Sequence, residues 1–174
     1  DQIKPRSVSA AVSGAKNELV DPEEYAATAH YPNQQAIARI YARYEELRKA
    51  AGALDFDDLL IETVRLFREV PGVRARYQRQ FKHILIDEYQ DINTIQYEII
   101  KLLVYPNNNI FAVGDDDQAI YGFRGSKPEI MQLFQNDFTN AKVIKLITNY
   151  RSSRNIINLA DIIIRENEMS YPKE

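Results

Sequence analysis

Two short apolar runs that break off in acid constrain this chain more than any other feature. Ile84-Leu85-Ile86 ends at Asp87 and Glu88, and Ile110-Phe111-Ala112-Val113 ends at Gly114, Asp115, Asp116, Asp117 and Gln118. Such runs suit strands covered on both faces of a parallel sheet, whose carboxyl ends open onto a ligand crevice. Either acidic cluster alone reads equally well as solvated turn residues. Together, one helix apart, they place carboxylates and an amide on neighbouring strand tips, which suits a site for a metal-bound phosphate.

The second half of the chain alternates in keeping with this. Asn93 or Thr94 opens a helix with Ile95, Ile99, Leu102 and Leu103 inward. Ser126-Lys127-Pro128-Glu129 reads as a capping box for another, through Ile130, Leu133 and Phe134. Lys142 to Leu146 reads as a third strand, and a last helix carries Ile156, Ile157, Ala160, Ile163 and Ile164 on its apolar side. Strand and helix in alternation predict a parallel sheet with right-handed crossovers.

The first half is predicted to be helical. Ser7 can cap a segment with Val8, Ala11, Val12, Ala15 and Leu19 at helical spacing, and Asp21-Pro22-Glu23-Glu24 is a strong helix start. From Asn33 a longer helix carries Ile37, Ile40, Tyr41, Tyr44 and Leu47 until Gly52. Asp55 caps the next, with Phe56, Leu59, Leu60, Val64 and Phe67 inward, and a shorter helix with Val73 and Tyr77 follows Pro71-Gly72. An N-cap with acids in the first turn accounts for every carboxylate of Asp55-Phe56-Asp57-Asp58. The fold class expected is α/β, with a helical segment over 1–80 and part of a nucleotide-binding domain over 81–174.

Composition narrows the functional classes. Charged residues make up 27% and the net charge is −3, so any nucleic-acid contact must be local. Arg39, Arg43, Arg48, Arg74 and Arg79 decorate the helices, but Glu45, Glu46 and Glu62 among them describe a solvated polar face. No cysteine is present, which excludes disulfides and thiolate metal sites and fits a reducing compartment. His30 and His83 have no pairing that suggests zinc. No run approaches the roughly 18 apolar residues of a membrane span, and no signal-peptide pattern opens the chain. A soluble, cytoplasmic protein is expected.

A strand ending in Asp-Glu carries the groups that phosphoanhydride hydrolysis on magnesium requires. Asp87 would hold the ion, usually through water, and Glu88 would orient and deprotonate the attacking water. Gln118 can sense a terminal phosphate. Arg151 can stabilise charge on the transferring phosphoryl group, and Tyr150 can offer its ring to a base. The plainer account of those last two is a core aromatic and a helix-capping or surface-paired arginine. Tyr121-Gly122-Phe123-Arg124 carries a different signal, since bases of single-stranded DNA stack on exposed aromatics for roughly 1–3 kcal/mol each. A buried Phe123 is simply core, and sequence does not decide between the two.

DEYQD at 87–91, VGDDDQAIYGFRGS at 113–126 and NYRSS at 149–153 resemble motifs II, III and IV of the UvrD/PcrA/Rep helicases, superfamily one DNA translocases. Leu54 to Leu60 resembles their segment before motif II, and Ala15-Lys16-Asn17-Glu18-Leu19 part of their inserted helical subdomain. The resemblance implies a partial RecA-like sheet and an ATP-dependent helicase of replication or repair, with ATP and Mg2+ as cofactors. Single-stranded and forked DNA are the implied partners. Asp87 and Glu88 become the Walker B pair, Gln118 the γ-phosphate sensor, Arg151 the finger and Tyr150 the adenine contact. Tyr121, Phe123 and Arg124 become DNA contacts. Phe123 stands where relatives often have tryptophan.

No Gly-x-x-x-x-Gly-Lys-Ser/Thr occurs in the sequence. Without it no amide nest and lysine cradle the β- and γ-phosphates. The chain is therefore expected to be an internal piece of such a helicase, inactive alone, and to self-associate through exposed sheet edges. The alternative is a non-enzymatic module that binds nucleic acid or a partner.

Overall fold

The computed structural model describes residues 3–122, 125–127, 129–138 and 140–164. Helices α1 (Pro5–Asn17), α2 (Pro22–Thr28), α3 (Pro32–Ala50), α4 (Phe56–Glu69) and α5 (Pro71–Gln80) occupy the first part. Prolines open α1, α2, α3 and α5, where a fixed φ favours the helix and the missing N–H is not needed. Asp21 and Asp55 cap α2 and α4 as expected; Asp55 accepts from the Asp58 backbone and Asp58 from the Asp55 backbone, both at 2.8 Å. Gly52, at φ +59°, ends α3. The start of α1 differs from expectation: the chain enters at Pro5 behind Lys4, and Ser7 lies inside the helix. Leu19 falls beyond its end, at φ 60°.

Strands β1 (Ile84–Ile86) and β2 (Ile110–Ala112) pair in parallel, with α6 (Thr94–Val104) as the crossover. Ile84 faces Ile110, Leu85 faces Phe111 and Ile86 faces Ala112. On one side Ile84, Ile86, Ile110 and Ala112 pack on a core of Tyr89, Ile92, Tyr97, Val104, Ile130 and Phe138. Helix α7 (Glu129–Asp137) closes that core through Ile130, Met131 and Phe134. A smaller cluster of Val12, Ala15 and Tyr41 joins α1 to α3. Helix α4 lies against α6, where Arg68 meets Glu98 at 2.8 Å.

Five further expectations are corrected. Burial of the strands on both faces does not occur: Leu85 is 72% and Phe111 59% exposed, because no described element covers their side of the sheet. Residues 142–146 form no strand, since a strand exists only beside a ladder partner and β2 has none on that side among the described residues. Helix α8 (Arg154–Ile164) forms where expected, yet it has no buried residue, and Ile156 and Ile163 lie open. Phe56 and Leu59 likewise point outward from α4, whose buried positions are Asp58, Val64 and Phe67. On α3 the buried stripe is Ala38, Tyr41 and Glu45, displaced from the Ile40, Tyr44 and Leu47 side. Pro128 of the expected capping box lies outside the described residues.

That displacement follows from an ionic cluster between α1, α3 and α4. Lys16 is 1% exposed, and its Nζ lies 2.7 Å from Asp55, 2.8 Å from Asp58 and 2.9 Å from Glu45. Arg48 adds contacts to Glu45 at 2.7 Å and Asp58 at 3.1 Å. Tyr44 donates its hydroxyl to Asp55 at 2.6 Å, a bond that lifts the phenol to about 12. Beside it Asn17 donates to Asp57 and accepts from Asn93, and Glu18 accepts from Thr94 and Lys127. Asn17 and Glu18 thus tie the helical part to the sheet part.

Candidate functional site

The carboxyl ends of β1 and β2 and the stretch before α8 enclose an open cleft of about 650 Å³. It is lined by Asp87 and Glu88 from the first strand tip, Gly114, Asp115 and Gln118 from the second, and Asn149, Tyr150 and Arg151 from the third segment. Asn149 shapes that last part. Its Oδ1 accepts the backbone N–H groups of Arg151 and Ser152, both at 2.9 Å, an Asx turn that sets Arg151 at the rim. Tyr150 is 94% exposed, so the core-aromatic account of it fails. The lining acids Asp87, Glu88 and Asp115 outnumber the cation Arg151, which leaves the cleft acidic.

Backbone geometry aims the first tip. Val113 donates to the Ile86 carbonyl at 2.8 Å, extending the ladder one step, and Tyr89 donates to the Val113 carbonyl at 2.9 Å. Between them Glu88 takes the left-handed conformation, φ 51° and ψ 46°, which is uncommon for a residue with a side chain. Asp87 Oδ1 accepts the Glu88 N–H at 3.0 Å. At the second tip a short 3-10 turn, Asp116–Gln118, is capped by Asp115, whose other carboxylate oxygen accepts from Gln118 Nε2 at 2.8 Å. Asp115, Asp116 and Asp117 bring ligand atoms within 4.8 Å of one another, although exposed acids commonly do so without an ion.

Gln90 is the residue that sequence reasoning passed over. It sits inside DEYQD, is 1% exposed, and bridges the two strand tips. Its signal was available only as an amide two residues past a catalytic-type acid, which has no meaning until the second tip is in place. Of the expected DNA contacts, Tyr121 is 37% exposed and follows the Gln118 turn, while Phe123 and Arg124 lie outside the described residues. His30 and His83 are exposed and far apart in the chain; His83 Nδ1 meets Asn109 at 2.9 Å. No described helix is long and apolar enough to cross a membrane.

Residues 1–139 match the family model described as UvrD/REP helicase N-terminal domain. Over 174 residues the chain is 40% identical to a protein of Leuconostoc citreum named ATP-dependent DNA helicase PcrA, covering 100% of this chain and 23% of that relative. Proteins of the same name are 42% identical in Bacillus subtilis and 41% in Staphylococcus epidermidis, over 172 residues and 99% of this chain. The chain thus spans about a quarter of the length of these relatives, 23% and 24% of the latter two.

Proposed function

The chain belongs to the UvrD/REP helicase family, and we propose that it forms the phosphate-sensing part of an ATP-driven DNA translocase. One observation carries this reading: Asp87, Glu88, Gln118, Tyr150 and Arg151, from three separate segments, line a single cleft. The strand pair and its crossover support assigning 81–174 to part of a RecA-like domain, with 1–80 as the helical segment before it. Work on DNA of this kind belongs in the cytoplasm.

The chemistry assigns each residue one task. Glu88 takes a proton from water as the water oxygen bonds to the terminal phosphorus; the bond from that phosphorus to the bridging oxygen breaks, and ADP leaves. Gln118 hydrogen-bonds the terminal phosphate, Arg151 stabilises its developing charge, and Tyr150 stacks on the base. Tyr121, with Phe123 and Arg124, takes the single strand. The hard carboxylate oxygen of Asp87 fits magnesium, which when bound neutralises phosphate charge. The hydroxyl and lysine of a phosphate loop, absent from this sequence, would complete that cradle.

An acidic cleft without that lysine repels a triphosphate. This chain alone should therefore hydrolyse no ATP above background, while the same residues joined to a phosphate-loop segment should turn over ATP with magnesium. Isothermal titration and a phosphate-release assay check both. A joined protein that binds no nucleotide would sink the reading, and robust turnover by the lone chain would sink the repulsion argument.

The open apolar surface at Leu85, Phe111, Ile144 and Leu146 belongs against the rest of the motor. In the isolated chain a second copy takes that place, so sedimentation should show mass rising with concentration. A monomer at every concentration would contradict it.

A further inference from the structure

We propose that Gln90 is the positioning residue that holds Glu88 for its reaction and links it to the loop bearing Gln118, an inference that rests on the ATPase reading above. Its amide spans both strand tips: Oε1 accepts the Asp115 N–H at 3.1 Å, and Nε2 donates to Glu88 Oε2 at 2.8 Å. The orientation is forced. A backbone N–H can only donate, so the amide oxygen must face Asp115, and its nitrogen then faces Glu88. From Asp115 the run continues to Gln118 through the 2.8 Å bond between Asp115 Oδ2 and Gln118 Nε2. Glu88, Gln90, Asp115 and Gln118 therefore form one line of hydrogen bonds from base to sensor.

Burial makes this line specific. Glu88 is exposed and its carboxylate would otherwise rotate in solvent, whereas Gln90 is 1% exposed and fixed at both ends of its amide. With Oε2 engaged, proton acceptance falls to Oε1. Gly114 provides the room. A Cβ there would stand 2.8 Å from Gln90 Oε1 and 3.2 and 3.3 Å from the backbone nitrogens of Tyr89 and Gln90. Glycine is thus required by close approach. A shift of Gln118 on meeting or losing a phosphate moves Asp115, and through Gln90 it moves the base.

The test uses these residues joined to the phosphate-loop segment, with Gln90→Glu and Gln90→Met as the informative pair. Gln90→Met keeps the volume and loses both bonds. Gln90→Glu keeps an oxygen for the Asp115 N–H but turns a second carboxylate oxygen toward Glu88. For a positioning role, both lower kcat by about 10- to 100-fold, with KM for ATP within about threefold of the unmutated protein. Hydrogen exchange at the Asp115 amide stays slow in Gln90→Glu and quickens in Gln90→Met. Gly114→Ala should match the kcat of Gln90→Met, and the double variant should fall no further. Full kcat in Gln90→Glu, or kcat loss only where Asp115 loses protection, would make Gln90 a mere loop anchor and overturn the proposal. Glu88→Gln is the reference: if it retains turnover, the ATPase reading itself has failed, a different result from an active base indifferent to Gln90.

Discussion

Lys16→Met is expected to destabilise the chain by about 3–5 kcal/mol, the range for removing one partner from a buried ion cluster. The substitution keeps most of the volume, so little of the loss is cavity. Its effect is to leave Glu45, Asp55 and Asp58 facing one another with Arg48 as the remaining cation in contact. Native domains are held by about 5–15 kcal/mol in total, so a chain with an open apolar sheet face stands to lose much of its stability. Urea unfolding followed by circular dichroism measures this directly. A midpoint shift worth under about 1 kcal/mol would mean the three carboxylates already reach water and that the cluster is no more than a surface network. Adding Asp58→Asn to Lys16→Met should recover part of the loss, since it removes one of the stranded charges.

The same cluster sets the pH range of the fold. Burial alone would raise Asp55, but hydrogen bonds from Lys16, Tyr44 and the Asp58 backbone hold its carboxyl well below the usual carboxylate range. Glu45 is lowered likewise, against its burial, by Arg48 and Lys16. Burial would lower Lys16, yet its bonds to Asp55, Asp58 and Glu45 hold it above the ordinary lysine value. Depressed carboxylates contribute stability that is present above their unfolded pKa, about 4, and lost as pH falls through the folded one. A raised lysine contributes stability complete below about 10.4 and lost as pH rises through its folded value. Stability should therefore be flat from about pH 5 to 9. The gap between the unmutated chain and Lys16→Met should narrow below about pH 4, as protonation discharges the acids.

What the sequence disclosed divides along the range of the interactions involved. Helix starts at Asp21, Asp55 and Asn93 were legible because a cap joins residues two or three apart. The strand tips were legible because an apolar run ending in acid is itself local. The Lys16 cluster was not: its partners Asp55 and Asp58 lie 39 and 42 residues away, and each acid already had a sufficient account in the α4 cap. Residues 142–146 failed as a strand for the converse reason, because an apolar alternation states a capacity to pair and not the presence of a partner. Helix α8 and the outer faces of Leu85 and Phe111 carry the same lesson: their patterning fits surfaces that nothing among the described residues covers.

Glu88→Gln should give the largest change in rate, a fall in kcat of about 10²- to 10⁴-fold with little change in ATP affinity, once these residues are joined to a phosphate loop. The substitution preserves shape and leaves an oxygen for Gln90 Nε2, so the line of hydrogen bonds and the fold survive. Only proton acceptance is removed. The backbone there allows a second, sharper comparison. Glu88 stands at φ 51° and ψ 46°, a conformation costing a side-chain-bearing residue about 1–2 kcal/mol and glycine almost nothing. Glu88→Gly should therefore match the unmutated protein in urea stability, despite the greater freedom of glycine when unfolded, while losing turnover as completely as Glu88→Gln. A site where the inactive substitution fits the backbone better than the native residue is one where local strain serves the reaction. If Glu88→Gly instead unfolds the chain, the carboxylate is a structural support for the strand tip, and the assignment of Glu88 as base loses its geometric footing.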